Sequence, residues 1–219
     1  MHADKNRGAI RQRMMNRRSI LRILPGGVAL AALPISASRA AGSPADTIKA
    51  FYDTLLSVMQ QAKALGLKGR YQKLDPAIHR AFNLALMTRL SVGPDWQKLS
   101  PEEQKSLVAA FTDLSVSTYA ARFDGFSGEH FEVDPNPTQS SGGVIVKSKL
   151  VKSSGEPVQL NYLVREGDAG WQILDVFLEG TISELATRRS EVSSVLRRDG
   201  AQALLQLIQS RAADLKKSA

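Results

Sequence analysis

Asp175 interrupts an apolar run, Trp171-Gln-Ile-Leu-Asp-Val-Phe-Leu178. A carboxylate among apolar side chains must be ion-paired, hydrogen-bonded or protonated. It could act as a general base in a small isomerase-like enzyme, or as a structural carboxylate bonding nearby backbone or an arginine. Arg188 and Arg189 follow about one helical turn after this run. They suit a solvated helix face, an ion pair with Asp175 or Glu179, or bidentate capture of a ligand phosphate. His79 and His130 lie far apart with no partner at ligand spacing, so each reads as solvated or locally bonded. Asp124, Glu132 and Asp134 form no evident pair with Asp175. The chain has no GxxxxGK[ST] loop, no GxGxxG, no HExxH and no GxSxG. It has no Cys, which removes disulfides, thiolate metal sites, iron–sulfur clusters and cysteine nucleophiles. Catalytic signatures are therefore missing, and no cofactor or metal is expected.

The elements that position these residues can be read from periodicity. Ile48, Phe51, Tyr52, Leu55, Met59 and Ala62 recur at helical spacing, with Gly66 and Gly69 as the stop. Asp75-Pro76 predicts a second helix with Ile78, Phe82, Leu86 and Leu90 on its inner face. Ser100-Pro101-Glu102-Glu103 predicts a capping box opening a helix that reaches about Arg122, with Leu107, Phe111, Leu114 and Thr118 on one face. The period then changes to two. Strands are expected at 131–133, 144–151 and 158–165 and at the apolar run itself, joined by turns at Ser153–Glu156 and Glu166–Gly170. In that last strand Trp171, Ile173 and Phe177 should share one side and Leu174, Val176 and Leu178 the other. A strand apolar on both sides asks for cover on both. Two helices close the pattern, broken at Asp199-Gly200. The result is an α+β domain, an antiparallel sheet of about four strands with helices before and after it. Its helical part spans 44–123, its sheet 129–180 and its C-terminal helices 183–216.

The net charge of +8 is unevenly spread. Residues 1–40 hold eight Lys/Arg and one Asp, whereas the rest holds 21 Lys/Arg and 20 Asp/Glu. No overall positive field remains in the main domain, so nucleic acid is not the expected partner. The basic segment reads as an export signal instead: Arg17-Arg18, an apolar run from Ile20 to Leu33, and Ser38-Arg39-Ala40 as a cleavage site. Residues 1–40 are therefore expected to be a twin-arginine-type signal, and 41–219 one periplasmic domain.

Leu160-x-Tyr162, Trp171-x-Ile173-x-Asp175-Val176, Gly180-Thr181-Ile182-Ser183, Arg188-Arg189-Ser190-Glu191-Val192 and Asp199-Gly200 with Leu204-Leu205 occur in that order. This resembles the periplasmic phospholipid-binding component of the Mla lipid-transport system, MlaC, also called the toluene-tolerance family. The run Glu179–Glu191 looks closest to its hopanoid-associated branch, often called HpnM. The similarity spans about residues 46–215, although Asn83 follows Phe82 where family members commonly carry Asp. The resemblance implies an NTF2-like sheet under helices and an apolar pocket between them. The implied ligand is a phospholipid or hopanoid-related lipid, carried by a monomer. The implied partners are an inner-membrane ABC transporter of MCE type and an outer-membrane lipoprotein–porin complex. On this reading the sheet side of the pocket is Val146, Leu150, Leu160, Tyr162, Ile173 and Phe177. The helix side is Phe51, Leu55, Met59, Phe82 and Phe111, while Asp175, Arg188 and Arg189 serve a head group or the structure. The competing readings are the isomerase-like enzyme using Asp175 and an interaction module with a filled core and no ligand.

Overall fold

Ser43 starts the first helix by accepting a hydrogen bond from the Asp46 amide while the Asp46 carboxylate takes the Ser43 amide in return. A computed structural model describes residues 42–217, and the expected export signal with its cleavage site lies outside these residues. Helix α1 runs Pro44–Gln60 and α2 runs Ala62–Ala81. A break at Gly66, with φ of 57°, divides the first turn of α2 from the remainder. Pro76 thus lies inside α2 and does not open a new helix. The real boundary is Phe82-Asn83: Phe82 is extended, and Asn83 caps α3 (Leu84–Val92) by accepting from the Leu86 amide. This restart shifts the buried face of α3 to Leu84, Thr88, Ser91 and Val92 and leaves Leu90 exposed. A short 3-10 helix, Gly93–Lys98, leads to α4, Pro101–Arg122, which opens with the expected Ser100/Glu103 capping box.

Seven strands follow: β1 His130–Val133, β2 Thr138–Ser140, β3 Gly143–Val146, β4 Ser148–Val151, β5 Val158–Gly167, β6 Gly170–Leu178 and β7 Ile182–Ser183. All named pairings are antiparallel. The number exceeds four because two rails are each split and the short β7 is added beside β6. The ladder breaks at Lys147 between β3 and β4, where the Lys147 carbonyl accepts from the Asp134 amide. It breaks again at Pro135-Asn-Pro137, because proline cannot donate to a ladder; β1 accordingly pairs β4, and β2 pairs β3. β5 is the shared spine, taking β3 and β4 on one edge and β6 on the other. The outer edge of β6 is covered by β7 and by a parallel bridge from Phe82 to Ile173.

A bulge sits in β6. Leu163 lies opposite Asp175, but Val164 lies opposite Ile173, so Leu174 is the extra residue. Strict alternation fails there. Ile173 joins the face of Val164 and Tyr162, and beyond the bulge that face continues with Val176 and Leu178. Phe177 and Asp175 point the other way. The expected sharing of one side by Ile173 and Phe177 is corrected by this one inserted residue.

Helix α5, Glu184–Lys217, is broken at Gly200, with φ of 82°, into the two segments expected. One core lies between α1, α2, Phe82 and the sheet, around Ile48, Phe51, Leu55, Ile78, Tyr162 and Ile173. A second joins α3, α4 and α5 through Val92, Leu107, Phe111, Val192, Leu204 and Ile208. Arg70, 5% exposed, staples the helical layer by donating to the carbonyls of Ala120 at 2.7 Å and Ala62 at 3.2 Å. No helix among the described residues is long and apolar enough to cross a membrane.

Candidate functional site

Between the sheet and the helices lies a cavity of about 160 Å³. Tyr52 and Leu55 come to it from α1, Ile78 from α2, and Phe82 from the α2–α3 joint. Leu160 and Tyr162 of β5 and Val176 and Leu178 of β6 form its sheet wall. Helices α3 and α4 contribute several hydroxyl residues, yet these offer it little polarity. Thr88, Ser91, Ser115 and Thr118 each donate to the carbonyl four residues back in their own helix, at 2.7–2.8 Å. Their hydrogen-bonding capacity is spent on the backbone, and the wall is effectively hydrocarbon.

Three phenols, Tyr52, Tyr119 and Tyr162, line the cavity. The Tyr52 hydroxyl meets the Ser148 hydroxyl at 2.7 Å, and Ser148 donates in turn to the Leu160 carbonyl. Burial pushes Tyr52 up to about 12 and raises Tyr119 and Tyr162 above the ordinary phenol value. All three are neutral in water near pH 7. The charged lining residues Arg122, Glu184 and Arg188 lie within electrostatic reach of Tyr119. Arg188 lies 5.5 Å from the centroid of the Phe111 ring, and its loss of solvation lowers its pKa, with the Glu184 charge opposing that shift. A larger groove of about 540 Å³ between α4 and α5 begins at the same place. It shares Phe111, Thr118, Arg122, Glu184 and Arg188 with the cavity and continues past Leu114, Val192, Leu204 and Ile208.

Of the residues expected to line a pocket, Leu55, Phe82, Phe111, Leu160 and Tyr162 do line this cavity. Phe51, Met59, Val146 and Ile173 are packed in the core instead. Phe51 forms a second layer, edge-on to Phe82 at 5.1 Å and to Tyr119 at 5.3 Å. Leu150 packs at the core margin, on the β4 rail paired with β1. Phe177 is turned to the opposite face of β6 by the bulge, and Val176 and Leu178 take the place given to it. Sequence reasoning missed these two, along with Tyr119, Met87 and the hydroxyl residues. The β6 positions had a readable alternation but an unreadable bulge, and Ser and Thr hide their apolar presentation.

Asp175 is 4% exposed and does not line the cavity. Its carboxylate accepts from the amides of Val176 at 2.8 Å and Leu185 at 2.9 Å and from the Ser183 hydroxyl. Ser183 Oγ also accepts from the Ala186 amide at 2.8 Å. Asp175 therefore anchors the start of α5 to β6, and the first turn of α5 presents Glu184, Leu185 and Arg188 to the cavity. Arg189 points elsewhere, with its guanidinium against Gly93. His79 and His130 are exposed, 3.5 Å from Asp75 and 3.6 Å from Glu132. No cluster of metal-ligand type occurs among the described residues.

A family model described as MlaC protein matches residues 49–210, well over half of the chain. Among solved structures, a phospholipid-binding protein from Ralstonia solanacearum, determined in complex with a phospholipid, superposes with a TM-score of 0.70. The two sequences are 24% identical, and the match covers 80% of this chain and 99% of that one. Identity at this level speaks for a shared fold. A search of the curated proteins finds no match.

Proposed function

Since this chain belongs to the MlaC family, we propose that it is a lipid carrier that encloses acyl chain in the cavity under its helices. The observation that carries this reading is the hydrocarbon-lined space itself, built from Leu55, Ile78, Phe82, Leu160, Val176 and Leu178 with its hydroxyls already bonded. The phospholipid held by the Ralstonia solanacearum protein of the same fold supports it. The physical case is simple. A tail of ~16 carbons gains on the order of 12 kcal/mol when fully buried, so it hardly crosses water unaided. An enclosing wall removes that barrier and leaves the head group near the mouth.

The function proposed is binding and transfer, with no chemical step. Asp175, the one carboxylate that an isomerase-like reading needs, is spent on three donors and turned from the cavity. The cavity also speaks against an interaction module with a filled core. We further infer action in the periplasm after export by a twin-arginine-type signal. The route proposed lies between an inner-membrane ABC transporter of MCE type and an outer-membrane lipoprotein–porin complex. The Glu179–Glu191 run supports placing the chain in the hopanoid-associated HpnM branch. Release must then be driven by a partner that favours an open or empty state, because a partner indifferent to the two states shifts nothing.

Delipidated protein incubated with phospholipid vesicles and separated from them should carry away lipid in a fixed molar ratio. Vesicles containing hopanoid test the branch assignment in the same assay. Protein that emerges lipid-free from both kinds of vesicle would overturn the carrier reading.

A further inference from the structure

The neck between the cavity and the α4–α5 groove holds two guanidinium groups and one carboxylate, Arg122, Arg188 and Glu184. Arg188 is the half-buried guanidinium of the two, Arg122 being exposed. It makes no hydrogen bond and no ion pair among the described residues; its contacts are the Phe111 ring and the neighbouring charges. A guanidinium has five N–H donors, and withholding partners from them in a partly dry site is costly. Arg122 adds like-charge repulsion, and Glu184 attracts without closing an ion pair. Arg122 and Arg189 likewise make no hydrogen bond or ion pair among the described residues, but both are exposed. Arg211, by contrast, grips Glu191 between the two halves of α5, Arg198 grips Asp199, and Arg70 is spent on two carbonyls.

We propose that Arg188, with Arg122 beside it, binds the phosphate oxyanion of an amphiphile whose tail lies in the hydrocarbon-lined cavity. The proposal rests on the carrier reading above and adds its polar half. A fork of donors over an aromatic face fits a phosphate ester bidentately. The position also fits: the tail runs inward past Phe111 and Tyr119, and the rest of a head group projects into the groove. Phe111 forms a wall of both spaces, and the Arg188 guanidinium lies over its ring.

The test is calorimetric titration of delipidated protein with dodecyl phosphate, dodecanol and inorganic phosphate, each below its aggregation limit. Charge-assisted hydrogen bonds of this kind should make dodecyl phosphate bind about tenfold or more tightly than dodecanol. Arg188→Gln should bring the ratio near one by weakening dodecyl phosphate far more than dodecanol. Arg122→Gln changes an exposed side chain, so it folds whatever happens to the Arg188 variant, and it should lower the ratio severalfold. Equal loss of both ligands in Arg188→Gln, or a ratio that survives in both variants, would overturn the proposal. So would inorganic phosphate matching dodecyl phosphate, which would mark a site for the free anion. Wild-type protein that takes both amphiphiles equally sinks the phosphate site alone; wild-type protein that takes neither sinks the carrier reading with it.

Discussion

Asp175 shows how much one side chain organises. Three donors converge on its carboxylate, and two of them belong to Ser183 and Leu185, where the chain turns from the sheet into α5. Asp175→Asn keeps the shape but replaces one acceptor oxygen with a donor. It should destabilise the fold by about 2 kcal/mol in chemical denaturation, while lipid uptake per folded molecule stays unchanged. Loss of uptake without loss of stability would restore a functional role for the carboxylate. Tyr52 gives a pH signature. Its folded pKa of about 12 lies above the ordinary phenol value of 10.0, and Tyr119 and Tyr162 shift the same way. Above pH 10 the unfolded chain sheds phenol protons that the folded chain keeps. Stability from these residues is complete below pH 10 and declines as pH climbs through about 12. Thermal melts across pH 8–12 should show the decline, and Tyr52→Phe should make it shallower, Tyr119 and Tyr162 keeping their share, while costing about 1 kcal/mol at pH 8 for the lost Ser148 bond. Leu160→Trp should fill the cavity and cut lipid uptake severalfold in the vesicle assay, and an unchanged uptake would place the ligand elsewhere.

Among the elements, strands and caps were legible wherever a local rule sufficed. The Ser100/Glu103 box, the Gly200 break and the hairpin turn before β5 each follow from a few adjacent residues. Two features had no local sign. The extra residue at Leu174 obeys the pairing partner, β5, and its effect was to swap Phe177 for Val176 and Leu178 at the cavity wall. The joint at Phe82-Asn83 is set by its bridge to Ile173 and by the Asn83 amide donating to the Ile173 carbonyl at 3.0 Å. Both contacts reach across about ninety residues of chain, beyond any periodicity window. The β6–β7 turn offers a test at this scale. Glu179 holds φ of 49° and Gly180 holds 76°, a left-handed pair that suits Asn-Gly or Gly-Gly. Glu179→Asn should therefore raise stability by about 0.5–1 kcal/mol, measured by denaturant midpoint. Gly143 tolerates no such freedom. A Cβ there would lie 2.3 Å from the Val164 carbonyl oxygen, so Gly143→Ala should prise β3 from β5 and lower the melting temperature.

At the scale of the molecule, the layering of helices over an antiparallel sheet was readable from the change of period after Arg122. The hollow was expected from the family resemblance, but its full lining was not legible, because a space is defined by side chains that fail to meet, and those come from every element. Its size carries a consequence. About 160 Å³ falls short of the roughly 300–1,000 Å³ of ordinary ligand pockets, so a full-length tail requires the walls to part. The groove between α4 and α5, reached through the Arg188 neck, is where added room already lies. Phospholipid uptake should therefore coincide with movement of α5 against α4. The Lys216–Asp113 contact at 2.6 Å, which ties α5 to α4, is the restraint to be loosened.

Native mass spectrometry of the intact protein, purified from its own host, tests the central idea most directly. The account predicts a discrete mass increment equal to one lipid, released on denaturation and diminished by Leu160→Trp. A single peak at the bare polypeptide mass, from protein that also fails to load from vesicles, would contradict it.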